Sequence, residues 1–142
     1  MRKSRLIMLI IIFLMSIACI QAQESQNESN REQTVQEGKV ITGKLEVDFS
    51  GFKVTFIELG ADKCIPCRRM QPIMKEIAEE FAGQVQVVFY DVWKDPRPAR
   101  KYGIQLIPTQ VFIDKDGKEF FRHVGFFPKE EIVKILKKKG IN

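Results

Sequence analysis

The chain has 142 residues, 44% of them hydrophobic and 29% charged, which fits one globular domain of roughly a hundred residues with polar appendages. This composition excludes wholesale disorder and leaves no room for a second domain within these residues. Without Arg2, Lys3 and Arg5 the formal net charge of +5 falls to +2, which is no nucleic-acid signature.

Those three cations precede an apolar run over 6–18 and a polar stretch from about Gln21, the pattern of an export signal. The run is shorter than the ~18 to 20 residues of a comfortable membrane span. Cys19 stands behind Met15-Ser16-Ile17-Ala18, a segment that resembles the lipobox of bacterial lipoproteins, with Ser16 where leucine is most usual. Residues 1–22 are therefore expected to be a signal peptide, a lipoprotein signal lipidated at Cys19, or a retained anchor. All three outcomes place the domain outside the cytoplasm, in the periplasm or on the outer face of the cell membrane, and two keep it membrane-tethered. Residues 23–39, rich in Gln, Glu, Asn and Ser, cannot repay their ordering entropy and read as a flexible polar tether.

The domain is expected over 40–142. A weakly alternating stretch, 40–49, reads as an edge strand, and 53–59 as a strand. Residues 65–81 read as a helix, with Met70, Ile73, Met74, Ile77, Ala78 and Phe81 at helical spacing, Pro72 inside it and Gly83 ending it. The apolar run 85–92 predicts a buried central strand, and 98–102 a short helix closed by Gly103. Residues 109–113 and 119–124 predict a hairpin around Lys115-Asp116-Gly117. Residues 128–139 close the chain as a helix with Ile132, Ile135 and Leu136 on one face, and its Lys137-Lys138-Lys139 end reads as a solvated terminus that complements the helix dipole. This order implies an α/β fold, a central mixed sheet with helices on both faces.

The chemistry concentrates in Cys64-Ile65-Pro66-Cys67, at the strand-to-helix junction. Two thiols at this spacing form a reversible dithiol/disulfide pair, and the first lies at a helix N-terminus, where the dipole favours thiolate. The thiolate attacks disulfides through a mixed-disulfide intermediate. Half a zinc site has the same spacing, so the motif alone leaves redox and metal chemistry both open.

From about Val54 to its end the chain resembles the thioredoxin family. Cys64-Ile65-Pro66-Cys67 fits the family's active-site motif, and Pro72 the kink proline of the active-site helix. Lys101-Tyr102-Gly103-Ile104 with Ile107-Pro108-Thr109 fits the cis-proline segment, and Val124-Gly125 the glycine that lines the substrate groove. The resemblance implies a thioredoxin-like fold and thiol:disulfide oxidoreductase activity with no cofactor and no metal. It makes Cys64 the attacking thiolate and Cys67 the buried resolving thiol. It places Ile65, Pro66, Ile107, Pro108 and Gly125 at the substrate site, with Pro108 in cis and Ile107 offering its backbone to an extended substrate segment.

The departures bear on chemistry. Lys63 replaces the usual tryptophan and favours the Cys64 thiolate electrostatically, while Ile65 replaces the usual glycine and makes the rim more apolar. Glu58 occupies the place of the family's buried aspartate, and a carboxylate in an apolar strand is costly unless functional or paired. A proton relay to Cys67 is the expected role, against a solvated edge position. The lysine that often accompanies the aspartate is Phe89, so Glu58 is expected to hold its proton at neutral pH. Trp93 reads as surface packing over the second helix, and His123 as an edge-strand side chain.

The function expected is that of a monomeric extracytoplasmic reductase acting on protein thiols and disulfides, as in cytochrome c maturation or disulfide reduction, with a transmembrane thiol carrier as electron donor. The Pro66 motif and Ile107 favour this direction over a disulfide oxidase. The alternative class is a copper(I)-binding or delivery module that uses the same two cysteines.

Overall fold

The computed structural model describes residues 38–43 and 46–142. The expected signal segment, Cys19 and nearly all of the tether lie outside the described residues. Within them the elements run β1 Val40–Thr42, β2 Val54–Gly60, α1 Ile65–Glu80, β3 Val85–Asp91, α2 Arg97–Lys101, β4 Thr109–Asp114, β5 Glu119–Val124 and α3 Lys129–Lys138. The strands form one mixed sheet in the order β1-β3-β2-β4-β5. β3 lies parallel to both β1 and β2, while β4 is antiparallel to β2 and to β5. No helix among the described residues is long and apolar enough to cross a membrane.

β2, β3 and β4 are buried strands, and the nearly unbroken apolar sequences of β2 and β3 follow from it: every residue of β2 is buried, all of β3 except Asp91, and all of β4 except Asp114. Their alternating side chains feed two cores. On one face Val54, Phe56, Val87 and Phe89 pack with Met70, Met74 and Ile77 of α1 and with Ile132 and Leu136 of α3. On the other, Ile57, Leu59, Val88 and Tyr90 pack against Ala99, Tyr102 and Ile104, in and after α2. Lys129 ties α3 to α1 through Glu80 at 2.8 Å and Glu76 at 2.9 Å.

Two local features depart from simple alternation. The first strand ends at Thr42, well short of the expected residue 49, because Gly43 takes φ +79° and turns the chain off the sheet edge. Val47 and Phe49 still pack, half-buried, against the core near α2, so their alternation reflects burial without pairing. In the hairpin, Phe112 pairs with Phe121 but Ile113 with Glu119, which leaves Phe120 as the extra residue of a β-bulge. Phe120 and Phe121 thereby both reach Phe112, at centroid distances of 6.2 and 5.7 Å, while Phe56 stacks on its other side at 4.9 Å.

Phe112 is the hub of this aromatic cluster and is fully buried. Replacing Phe112 with Ala is expected to cost about 3–5 kcal/mol in urea unfolding, the range for a buried aromatic whose cavity cannot collapse. A loss below about 1 kcal/mol would show that the bulged strand repacks around the gap.

Candidate active site

α1 begins at the cysteine pair. Cys64 is its N-cap in extended conformation (φ −86°, ψ 120°), and the Cys64 carbonyl accepts the Arg68 N–H at 3.0 Å. Among the described residues no side chain caps the helix, and its first turn holds no acid. The sulfur therefore sits beside unpaired backbone N–H groups at the positive end of the dipole, an arrangement that favours a thiolate. Pro66 fits the first turn because its missing N–H has no helical partner there. Cys64 and Cys67 form a disulfide, with Cα atoms 5.2 Å apart. Cys64 is half-buried and Cys67 wholly buried, so an incoming thiolate reaches only the Cys64 sulfur. Ile65 is 75% exposed beside it.

The loop that presents Cys64 is pinned by Asp91 at the end of β3. Its carboxylate accepts the backbone N–H of Asp62 and Trp93, each at 3.1 Å, and of Lys94 at 3.2 Å. Burial works against its ionisation, but the N–H groups of Asp62, Lys94 and Trp93 outweigh it and hold the carboxyl below its usual range. Lys94 bridges Asp91 and Asp62, and the Cys64 N–H closes the loop on Ala61 O at 3.1 Å.

Underneath, β2 ends at Gly60. A Cβ there would lie 3.1 Å from Cys67 Cβ, 3.3 Å from its Sγ and 3.4 Å from the Phe89 ring. A Cβ at these distances would crowd the pair, so glycine lets the central strand approach the buried sulfur without displacing it. Two residues earlier on the same face is Glu58, fully buried in a strand flanked by β3 and β4, which rules out the solvated edge position. Phe89 is its register partner on β3 and Gln110 its partner on β4. Neither Glu58 carboxyl oxygen has a hydrogen-bond partner of good geometry among the described residues, and the Gln110 side chain makes only a weak contact with the carboxyl. Burial pushes the Glu58 pKa up to about 8, against a smaller opposing influence of Gln110.

Opposite the end of β2, the Ile107–Pro108 peptide is cis. Thr109 pairs with Leu59, so Pro108 stands across from Gly60 at the edge of the cysteine site. The loop is held by Thr109 Oγ1 donating to Leu106 O at 2.6 Å and by Gly125 N–H donating to Pro108 O at 2.8 Å. The Ile107 backbone N–H and C=O have no partner among the described residues. Leu106 (66% exposed) and Val124 (51%) flank this free edge. Gly125 takes φ +97°, a conformation open to glycine, and the Phe127 N–H after it reaches Met70 Sδ of α1 at 3.4 Å.

The thioredoxin family model matches residues 43–138. The chain belongs to the thioredoxin family. It is 34% identical over 85 residues to thioredoxins from Staphylococcus aureus strains Mu50 and NCTC 8325, an alignment that spans 60% of this chain and 81% of each of theirs. The fold is also that of an N21Q mutant thioredoxin from Halobacterium salinarum NRC-1, with a TM-score of 0.66 at 24% identity over 75% of this chain and 95% of that one. The protein is thus a thiol-disulfide oxidoreductase of thioredoxin type, carrying its redox pair as the Cys64–Cys67 disulfide.

The remaining sequence candidates stand apart from the cysteines. Trp93 is 63% exposed beyond β3, and His123 lies half-buried on the edge strand β5, stacked on Phe127 at 4.2 Å. Sequence reasoning passed over two residues that the fold brings to the site, Gly60 and Gln110. Gln110 is fully buried, and its Nε2 donates to Gly125 O at 3.0 Å.

Glu58 makes folding pH-dependent. Its folded pKa lies above the ordinary 4.5, so between there and about 8 the folded state holds a proton that the unfolded state has released. Stability is then fully present below 4.5 and falls as pH rises to about 8, by on the order of 5 kcal/mol at 1.36 kcal/mol per pK unit. Glu58→Leu is expected to flatten this slope and to raise stability at pH 8. Parallel urea titrations of both proteins from pH 4 to 9 check it, and equal slopes would show that Glu58 ionises normally in the fold.

Proposed function

We propose that this thioredoxin-family protein is an extracytoplasmic, membrane-tethered reductase of protein disulfides. The observation that carries the site's role is the division of labour in the pair: a half-buried Cys64 at a helix N-terminus and a sealed Cys67 against Gly60. In the dithiol form the Cys64 thiolate attacks a substrate disulfide, forming a mixed disulfide and expelling the substrate's second sulfur as a thiolate. Cys67 gives up its proton and attacks Cys64 Sγ. The substrate sulfur still bonded to Cys64 leaves as the other thiolate, and two electrons have passed from the pair to the substrate. An extended substrate segment pairs with the free Ile107 backbone beside Pro108 and rests on Ile65, Pro66, Leu106 and the Val124-Gly125 edge, a β-strand addition.

Glu58 serves both directions of this cycle. The disulfide is regenerated to dithiol when a donor thiolate attacks Cys64, and Cys67 then departs as a thiolate inside an apolar wall. A protonated Glu58 supplies the proton. During substrate reduction the ionised carboxylate takes it back from Cys67. Outside the cytoplasm this cycle requires a transmembrane thiol carrier as donor, and the substrates that suit it are apocytochrome c cysteines or misplaced disulfides. The export reading rests on Arg2, Lys3 and Arg5, the apolar 6–18 run and Cys19.

Cys67→Ser is expected to accumulate a mixed disulfide between Cys64 and substrate on non-reducing gels, while Cys64→Ser accumulates none and loses turnover. The equilibrium reduction potential sets the direction. A value near −270 mV supports the reductase, and one near −120 mV makes the protein an oxidase. Absence of any reversible couple together with stoichiometric Cu(I) binding would replace both with copper delivery. The tether is tested separately: Cys19→Ala is expected to release the domain from the membrane fraction, and undiminished membrane retention would point to an uncleaved anchor.

A further inference from the structure

Four residues stand in one row across the sheet on the α1 side: Phe89, Glu58, Gln110 and His123, each the register partner of the next. The two central members are wholly buried, and between them they hold three acceptor oxygens without a partner among the described residues: Glu58 Oε1 and Oε2, and Gln110 Oε1. Such orphaned acceptors are costly, and here they face one another across paired strands.

We propose that Gln110 is a positioning residue whose amide adapts to the proton state of Glu58 and conveys it to the loop at Gly125. The proposal rests on the proton-carrying role given to Glu58 above. A protonated carboxyl has one O–H to donate, and Gln110 Oε1 is an empty acceptor on the adjoining strand, so one hydrogen bond satisfies both. An ionised carboxylate only accepts. It then requires an N–H, and the same amide carries two, one of them committed to Gly125 O at 3.0 Å. Ionisation therefore draws the second N–H, and the nitrogen with it, toward Glu58, which loads the bond that the first N–H makes to Gly125 O. Gly125 in turn donates to Pro108 O at 2.8 Å, so the proton state of the buried acid reaches the loop that flanks the cysteines.

The surroundings leave this role to Gln110. From β3 the row presents apolar Phe89. From α1 the nearby titratable group is Cys67, which does not titrate while disulfide-bonded. Arg69 of α1 lies over the Phe126 ring at 4.1 Å, and Lys129 of α3 is paired with Glu76 and Glu80. On β5, His123 directs Nε2 at Phe126 O at 3.3 Å, next along the chain from the carbonyl that Gln110 holds.

The test is an NMR titration of the oxidised full chain in detergent micelles from pH 5 to 9.5. It follows the Glu58 carboxyl carbon, the Gln110 side-chain NH₂, the Gly125 amide and the His123 ring. The Gln110 and Gly125 signals are expected to move with the Glu58 midpoint and to become pH-independent in Glu58→Gln. Gln110→Met, close in shape and unable to donate, is expected to raise the Glu58 midpoint by at least one pH unit, a tenfold weaker acid. A Glu58 midpoint near 4.5 would overturn the role of Glu58 and this proposal with it. A raised Glu58 midpoint with Gln110 and Gly125 signals that stay still, or that follow His123, would overturn this proposal alone. The signals of the unmutated protein decide the matter even where Gln110→Met fails to fold.

Discussion

The close approach of β2 to Cys67 fixes the rest of the site. Because Gly60 has no side chain, the end of the central strand lies directly under the buried sulfur, closer than a Cβ would sit without pushing Cys67 back. That contact sets the height of α1 over the sheet, seals Cys67 and leaves Cys64 at the rim. It also brings the Glu58 side of the strand beneath the helix, two residues back from Gly60 and away from water. The cis-Pro108 loop follows from the same strand, since β4 is registered on β2 through Leu59 and Thr109. Scaffold and site are one set of constraints, with the sheet register supplying the alignment that loops alone would hold less firmly.

Most of this framework was legible in the sequence, for identifiable reasons. The strands β2 and β3 are buried on both faces and read as continuous apolar runs, and α1 repeats its apolar residues at i, i+3 and i+7, so element type followed from periodicity. The Cys64-Ile65-Pro66-Cys67 spacing alone left redox and metal chemistry both open, and the family resemblance carried by Pro72, Ile107-Pro108-Thr109 and Val124-Gly125 decided between them. The failures have equally local causes. Val47 and Phe49 alternate like strand residues because they bury their side chains, yet Gly43 has already turned their backbone off the sheet. The bulge at Phe120 is invisible in a pattern where Phe120 and Phe121 are both apolar. Gly60 resembles any strand-ending glycine until the helix above it is placed.

Gln110 is the instructive omission. A carboxylate in an apolar strand marks Glu58 as expensive and therefore purposeful, and the same reasoning applies to a primary amide within Thr109–Asp114. What one strand cannot reveal is that the two polar residues are register partners. Pairing depends on the antiparallel alignment of β4 with β2, a non-local property. Once the strands are aligned, two anomalies become one polar pair enclosed by phenylalanines.

A neutral buried acid also accounts for the substitution pattern around it. With apolar Phe89 rather than a cation at its partner position on β3, Glu58 has no charge to lean on, and burial dominates its titration. In the proposed cycle the stored proton serves the oxidised state, where Cys67 would leave as a thiolate into surroundings that disfavour a naked charge. The cost is borne as stability forgone between pH 4.5 and about 8, the interval in which the fold keeps a proton that water would take. A cation in place of Phe89 would relieve that cost and lower the acid's pKa, but it would also remove the proton that the proposed cycle uses when the disulfide opens. In the proposed cycle the pairing of Phe89 with Glu58 favours proton delivery at disulfide opening over fold stability, and leaves Gln110 as the polar register partner on the neighbouring strand.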